Sequence, residues 1–219
     1  MPWHSMGICK SPIVLGKVTL KEVNELDFKG KKIGFGLTGS HCTYEAVFPI
    51  MEKLISLGAE LVPVVSYTFK ETDSKFGKAK DHMNRVREIT GREPISTIVD
   101  AEPLGPIEPL DCMVLAPLTG NTMSRLANAI TDSPVLMATK ATIRNGNPVI
   151  IAISTNDALG LNGVNLMRLM STKLMYFVPY GQDAPFKKPN SLVSDMTLIP
   201  ETVDSALNNQ QIQPVIIER

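Results

Sequence analysis

The sequence predicts an α/β protein, a doubly wound three-layer sandwich with a mostly parallel sheet, and two features lead to this prediction. Segments of strand character alternate with segments of helical periodicity along most of the 219 residues. Residues 112–116 and 148–153 are short, wholly apolar strands, as expected in a parallel sheet covered on both faces. The hydrophobic fraction of 43% and the charged fraction of 20% are typical of one folded globular domain.

In the first half of the chain, strands are predicted over residues 31–37, 60–67 and 95–99. Apolar residues from 47 to 55 recur at helical spacing, and Gly58 is expected to end that helix. Pro63 has no N–H for a ladder, which indicates that the second strand lies at an edge of the sheet. Apolar residues at 83, 86 and 89 predict another helix, which ends near Gly91.

The second half repeats this alternation. Strands are predicted over residues 112–116, 148–153 and 175–179, helices over 121–130, 135–143, 165–170 and 201–208, and a final extended segment over 215–217. Residues 1–28 have only a weak helical pattern. We therefore expect an N-terminal extension over residues 1–28 and a single domain over residues 29–219.

Composition and charge exclude several classes of function. Lysine plus arginine and aspartate plus glutamate each number 22, so the net charge is zero and no basic field attracts nucleic acid. The longest apolar run, residues 148–153, is far shorter than the ~20 residues of a membrane span. Residues 1–16 lack the pattern of a secretory signal, so a cytoplasmic protein is expected. The three cysteines form no Cys-x-x-Cys pair and the three histidines lie far apart, which favours neither disulfides nor a metal site.

Three loops rich in small polar residues follow predicted strands, at residues 38–42, 117–122 and 154–157. In such sheets ligands bind beyond the carboxyl ends of the strands. Helix N-termini after these loops would offer free N–H groups and partial positive charge to a phosphate. Gly39 and Gly120 would let a ligand approach the backbone. Helix capping alone would explain any one loop, but three at one edge favour a binding site.

Gly34, Gly36 and Gly39 match the dinucleotide fingerprint G-x-G-x-x-G literally. In the fingerprint the glycines follow the strand, whereas Gly34 falls inside the predicted strand. The acidic residue expected at the end of the second strand is also missing, since Ser66 and Tyr67 stand there. A mononucleotide held by its phosphate therefore fits better than a nicotinamide site.

A family resemblance rests on Thr38-Gly39-Ser40 and on APLTGNTMSRLA at residues 116–127. Residues 31–179 resemble the flavoprotein family of homo-oligomeric flavin-containing cysteine decarboxylases. This resemblance implies a flavodoxin-like or Rossmann-like fold and bound FMN, with the phosphate at Gly39 and Ser40. The cofactor-binding residues expected from the resemblance and the loops are Thr38, Gly39, Ser40, Thr119, Asn121, Thr122 and Ser154.

The chain departs from the decarboxylases in two places. Several of them carry an active-site histidine in the stretch that corresponds to residues 106–111, where this chain has none. Decarboxylation by the family mechanism is therefore not expected. Gly120 also replaces the usual alanine, which we expect to be a mild change.

A closer resemblance covers nearly all of residues 29–218. The runs at 31–49, 101–145 and 154–173 resemble one component of a two-component oxidoreductase of endospore-forming bacteria. It implies oxidation of a small dicarboxylate in the mother-cell cytoplasm, with NADP on a dehydrogenase-like partner chain. The wider family implies a homo-oligomer. Three alternatives remain open: a flavin-dependent decarboxylase, a protein that uses nicotinamide only, and a scaffold without catalytic function.

Three residues are candidates for catalysis or substrate binding. His41 is a candidate proton carrier at a helix start, or else a local cap. Arg125 lies one turn into the helix after the second loop, where a guanidinium could bind a carboxylate through two hydrogen bonds. Asn156 is expected to contact substrate or flavin. Asp157 is expected to serve only an Asx turn, and Cys42 to be a small buried residue at a tight turn.

Overall fold

The computed structural model describes residues 26–218, which form a seven-stranded sheet between two layers of helices. The strands are β1 (Lys32–Leu37), β2 (Glu60–Val65), β3 (Cys112–Leu118), β4 (Val149–Thr155), β5 (Met175–Phe177), β6 (Tyr180–Gly181) and β7 (Leu192–Ser194). Their order is β2-β1-β3-β4-β7-β6, and β5 also pairs with β4. The pairs among β1 to β5 are parallel, whereas β7 runs antiparallel to β4 and β6. The predicted fold class is confirmed.

Helices cover both faces of this sheet. They are α1 (Tyr44–Ser56), α2 (Tyr67–Glu71), α3 (Ala79–Thr90), α4 (Ile98–Ala101), α5 (Gly120–Ala127), α6 (Pro134–Arg144), α7 (Gly163–Met170) and α8 (Ile199–Leu207). Successive strand residues alternate between two cores, as the period of two in a strand requires. Val114 belongs to the core under α1 and α8, and the next residue, Leu115, to the core under α6 and α7.

The predicted extension over residues 1–28 lies mostly outside the described residues. Of its last three residues, Leu26 and Phe28 are buried, and both belong to the core under α1. The backbone N–H of Phe28 donates to the carbonyl of Leu57, which anchors this entry segment beside the end of α1. Among residues 26–218, no helix has the length and apolar character needed to cross a membrane.

The predicted third strand over residues 95–99 is wrong. Only Ile95 pairs with the sheet, through an isolated bridge to Val64, and α4 begins three residues later. The Thr97 hydroxyl accepts a hydrogen bond from the Asp100 N–H at 3.1 Å, which caps this helix. The tendency of residues 95–99 to form a strand was therefore outweighed by the helix cap that Thr97 provides. The second predicted strand also ended too late, because Ser66 caps α2 directly after β2.

Backbone groups of the outer strands β2, β5 and β6 form hydrogen bonds with residues that do not belong to any strand of the sheet. Pro63 does lie in an outermost strand, as predicted, and its carbonyl accepts from the Ile95 N–H at 2.9 Å. At β5, the side-chain amide of Gln211 accepts from the Phe177 N–H and donates to the Phe177 carbonyl, both at 2.7 Å. At β6, Tyr180 exchanges two backbone hydrogen bonds of 3.0 Å with residues 215–217.

Candidate functional site

Two pockets flank the loop that follows β1, at the carboxyl ends of the parallel strands. The first, of about 320 Å³, is called here the N-cap pocket, and its walls include Gly39, Ser66, Thr119, Asn121, Arg125 and Ser133. The second, of about 330 Å³, is called the hydroxyl pocket, and its walls include Ser40, Thr43, Ser154, Asn156, Asp183 and Lys188. Both volumes are large enough for a small ligand or for part of a cofactor.

Three helices begin at the N-cap pocket. The hydroxyls of Ser66, Thr119 and Ser133 accept hydrogen bonds from the backbone N–H of the third residue of α2, α5 and α6, at 3.2, 3.3 and 3.4 Å. Each cap leaves other N–H groups of the first turn without an acceptor inside the helix. The positive ends of these helix dipoles therefore converge on one cavity, which suits an anion such as a phosphate.

Arg125 adds a positive charge to the N-cap pocket, and Asp132 adds a negative one. The Arg125 Nε lies 3.1 Å from the Asp132 Oδ2. A guanidinium has five N–H donors, so this ion pair leaves donors for another group. The two charges cancel, and the helix ends determine the sign of the field in the pocket.

Thr38 joins the first loop to the second and lines neither pocket. It is fully buried, and its hydroxyl donates to the Pro117 carbonyl at 2.6 Å and accepts from the Thr119 N–H at 3.0 Å. Its own carbonyl accepts from the Tyr44 hydroxyl at 2.9 Å. The threonine of the TGS motif therefore fixes the position of the loops, and the neighbouring residues face the cavities.

A cluster of three hydroxyls joins the first loop to the third in the hydroxyl pocket. The Ser154 Oγ lies 2.8 Å from the Ser40 Oγ and 2.7 Å from the Thr43 Oγ1, and the latter two are 3.2 Å apart. Each hydroxyl can donate or accept, so the cluster can reorient toward a ligand without leaving a buried polar atom unpaired. The exposed Asn156 side chain lies at the same pocket.

Comparisons with known proteins decide the family. The model of the family described as Flavoprotein matches residues 21–193. The chain belongs to the Flavoprotein family. Over 190 residues it is 64% identical to the B subunit of dipicolinate synthase of Bacillus subtilis (strain 168), a match that covers 87% of this chain and 95% of that protein.

Solved structures agree with this membership. The crystal structure of the dipicolinate synthase B subunit from Bacillus halodurans C is 58% identical, with a TM-score of 0.82 over 89% of this chain and 100% of the other. The FMN-dependent cysteine decarboxylase SpaF is 19% identical, with a TM-score of 0.62 over 82% of this chain and 98% of the other. At that identity the likeness to SpaF shows the shared fold alone.

The predicted site residues of this flavoprotein separate into three groups. Gly39, Thr119, Asn121, Thr122 and Arg125 line the N-cap pocket, and Ser40, Ser154 and Asn156 line the hydroxyl pocket. Arg125 and Asn156, both expected to bind one substrate, therefore lie at different pockets. Thr38 and His41 form the third group, which lines neither pocket.

His41 lies against aromatic rings instead. Its ring centroid is 5.3 Å from that of Tyr44, and its Nδ1 is buried without a hydrogen-bond partner. Burial, together with the nearby His82, lowers the pKa of His41 below its ordinary value, so the ring is neutral at neutral pH. Among the described residues no histidine lines either pocket.

The glycines of the fingerprint-like motif serve packing inside β1. A Cβ at Gly34 would lie 2.5 Å from the Leu110 Cδ1, and one at Gly36 would lie 2.8 Å from the Met113 Cε. Side chains of the core therefore fill the space beside these two glycines of β1. In this member of the Flavoprotein family, Gly34 and Gly36 are therefore explained by the packing of β1.

Several residues at these pockets were not assigned to a site from the sequence, among them Ser66, Asp132, Ser133 and Asp183. Ser66 was hidden inside the second predicted strand, residues 60–67, which was drawn two residues too long. Ser133 precedes a proline at the first position of a helix, which is a recognisable start. Lys188 belongs to a basic, proline-bounded loop, residues 186–190, which the sequence offers as a cover for the crevice or, by default, as a plain surface loop. The antiparallel pairing of β7 with β4 brings this loop to the hydroxyl pocket.

Proposed function

We propose that this flavoprotein is the B subunit of a dipicolinate synthase. In this proposal it works with the A subunit in the cytoplasm of a sporulating mother cell. The pair oxidises dihydrodipicolinate, or its hydrated tetrahydro precursor, to pyridine-2,6-dicarboxylate, with NADP as the electron acceptor. The observation that carries the proposal is the 64% identity along 95% of the Bacillus subtilis protein.

The proposal includes FMN, and the N-cap pocket fits this cofactor. Three helix starts and Arg125 suit the phosphate, and the Thr119, Thr122 and Thr68 hydroxyls at the same walls suit the ribityl chain. When bound, FMN supplies hydride or electron transfer. This placement assigns Arg125 to the cofactor and leaves Asn156 and the hydroxyl cluster to the substrate.

NADP is assigned to the dehydrogenase-like partner. Core side chains occupy the space around Gly34 and Gly36, and Ser66 caps a helix where a dinucleotide site needs an acidic residue. This chain alone should therefore show little NADP-linked activity. A homo-oligomer is part of the proposal by analogy with its family.

Two measurements on the purified chain test the proposed function. Titration with FMN, followed by quenching of flavin fluorescence, should show saturable binding. Substrate-dependent reduction of NADP should require both this chain and its dehydrogenase-like partner, and it should increase with FMN occupancy. Full activity of the partner alone would reject the proposal. Full activity of an FMN-free mixture would reject the FMN part of the proposal.

Replacing Arg125 by alanine should weaken FMN binding about tenfold, because one charge-assisted hydrogen bond to a phosphate contributes about 1.5 kcal/mol. The Arg144→Ala variant is the matched control, since Arg144 is exposed at the end of α6 and lies outside the N-cap pocket. The same fluorescence titration measures both variants. Equal dissociation constants for the two would contradict the assignment of Arg125 to the cofactor.

A further inference from the structure

The hydroxyl pocket contains one lysine, and the surrounding loop holds it in place. Lys188 lies in the segment between β6 and β7, and its N–H donates to the Ala184 carbonyl at 2.8 Å. The Gln182 side chain donates to the Pro189 carbonyl at 2.8 Å and closes the base of this loop. The Ser191 N–H donates to the Lys188 carbonyl at 3.0 Å. The backbone that carries this ammonium is therefore fixed by several hydrogen bonds.

Asp183 holds the Lys188 side chain in turn. The Lys188 Nζ lies 3.1 Å from the Asp183 Oδ2, and the buried Ser191 hydroxyl donates to the other carboxylate oxygen. Burial raises the pKa of Asp183, but the hydrogen bonds from Ser191 and Lys188 outweigh it and hold the pKa below its usual value. Asp183 is therefore ionised at neutral pH, and it keeps the ammonium beside the cavity.

The ion pair is only partly buried, with side-chain exposures of 50% for Lys188 and 29% for Asp183. Such pairs contribute little to stability, so Lys188 can share its three N–H donors with another anion at small cost. Hydroxyl donors from Ser40, Thr43 and Ser154 stand at the same walls, and Val193 and Met196 add apolar surface. This set of groups suits a flat ring that carries a carboxylate.

We propose that Lys188 anchors a carboxylate of the substrate in the hydroxyl pocket, with Asp183 as its positioning residue. The inference rests on the proposed function and deepens it by naming the lysine whose ammonium group binds the substrate. A carboxylate suits this pocket, because the Lys188 ammonium and the Ser40, Thr43 and Ser154 hydroxyls can donate to its two oxygens. The N-cap pocket, where three helices begin, is the better phosphate site.

The Lys188→Met variant tests this assignment, with Lys187→Met as the matched control. Lys187 is the next residue of the same loop, is exposed and does not line the pocket. In the mixture with the dehydrogenase-like partner, Lys188→Met should raise the KM for substrate at least tenfold and leave the dissociation constant of FMN unchanged. Lys188→Arg should restore most of the substrate affinity, and Lys187→Met should match the wild type.

Calorimetric titration of the isolated chain with pyridine-2,6-dicarboxylate in metal-free buffer separates this inference from the proposed function. Binding by the wild type that Lys188→Met weakens tenfold supports the inference even where the mixture shows no turnover, and absent turnover then counts against the proposed function alone. An unchanged KM or unchanged binding in Lys188→Met overturns the inference. So does a loss of FMN affinity as large as the loss of substrate affinity, because Lys188 would then serve the cofactor phosphate.

Discussion

Replacing Thr38 by valine should destabilise the protein by roughly 2–5 kcal/mol, because it leaves two buried backbone groups unpaired at about 1–3 kcal/mol each. The Pro117 carbonyl loses its donor at 2.6 Å, and the Thr119 N–H loses its acceptor at 3.0 Å. Valine has nearly the same shape as threonine, so packing is preserved. Urea unfolding followed by far-ultraviolet circular dichroism measures the change.

Two variants control the Thr38 experiment. Thr139 is also fully buried, but its hydroxyl donates to the Val135 carbonyl inside α6, which already accepts a helical hydrogen bond. Thr139→Val should therefore cost less than about 1 kcal/mol. Thr38→Ser keeps the hydroxyl and should retain most of the stability. A loss in Thr38→Val no larger than that in Thr139→Val would show that the hydroxyl does not join the two loops.

The Thr38→Val variant also tests how the N-cap pocket is built. The bond from Thr119 fixes the residue that caps α5, so its loss should displace the start of that helix. On the proposed function, FMN binding should then weaken at least tenfold, although the substituted side chain does not touch the cofactor. FMN titration of the folded variant measures this effect.

Replacing Gly120 by alanine should cost about 1–3 kcal/mol through overpacking. A Cβ there would lie 2.5 Å from the Asp157 Oδ1, 2.6 Å from the Thr155 Oγ1 and 2.8 Å from the Asn162 Nδ2. The three side chains cannot move away from the Cβ independently, since Asp157 accepts hydrogen bonds from both Thr155 and Asn162. The third loop must therefore shift as a unit, and Asn156 shifts with it.

The matched control for this substitution is Gly105→Ala. Gly105 is also buried, but a Cβ there would meet its nearest neighbour at 3.5 Å, and its φ of −88° is open to alanine. This control should be neutral or slightly stabilising. Urea unfolding compares the two variants, and the KM for substrate reports on Asn156. Equal stabilities would show that the third loop has room to move.

The crowding around Gly120 also revises an expectation from the sequence. In the decarboxylases that this chain resembles, alanine is usual at this position, and the sequence alone predicts that glycine in its place has little effect. The hydrogen bonds of Asp157 are the reason that glycine is needed in this chain, so the glycine is specific to this third loop. The Asp157 carboxylate, which was expected to serve an Asx turn, instead holds Thr155 and Asn162 beside Gly120.

The fold was largely predictable because its signal is local. The apolar run at residues 112–116 is enough to predict the buried strand β3. The helical spacing of apolar residues before Gly91 is enough to predict α3 and its end. The failure at residues 95–99 was also local, since the capping of α4 by Thr97 competed with β propensity. The three polar loops could be placed at the same edge of the sheet, because the carboxyl ends of parallel strands lie side by side.

The division of the site was not predictable in this way. Arg125 and Asn156 both follow strands at the expected edge, yet the loop after β1 separates their pockets. Which side of a loop a residue faces depends on the path of that loop, here fixed by Thr38 and by the Ser40–Ser154 contact. Lys188 depends on still more distant structure, because β7 must pair with β4 before its loop reaches the pocket.

The borders of the sheet have a consequence for self-association. Unpaired N–H and C=O groups along an edge strand can recruit a strand from another chain, and this is a common route to aggregation. Here Ile95, the Gln211 amide and residues 215–217 already occupy such groups on β2, β5 and β6. A second copy therefore finds these positions already occupied on all three strands. Any contact between two copies at these three strands would therefore depend on side-chain surfaces rather than on a continued ladder.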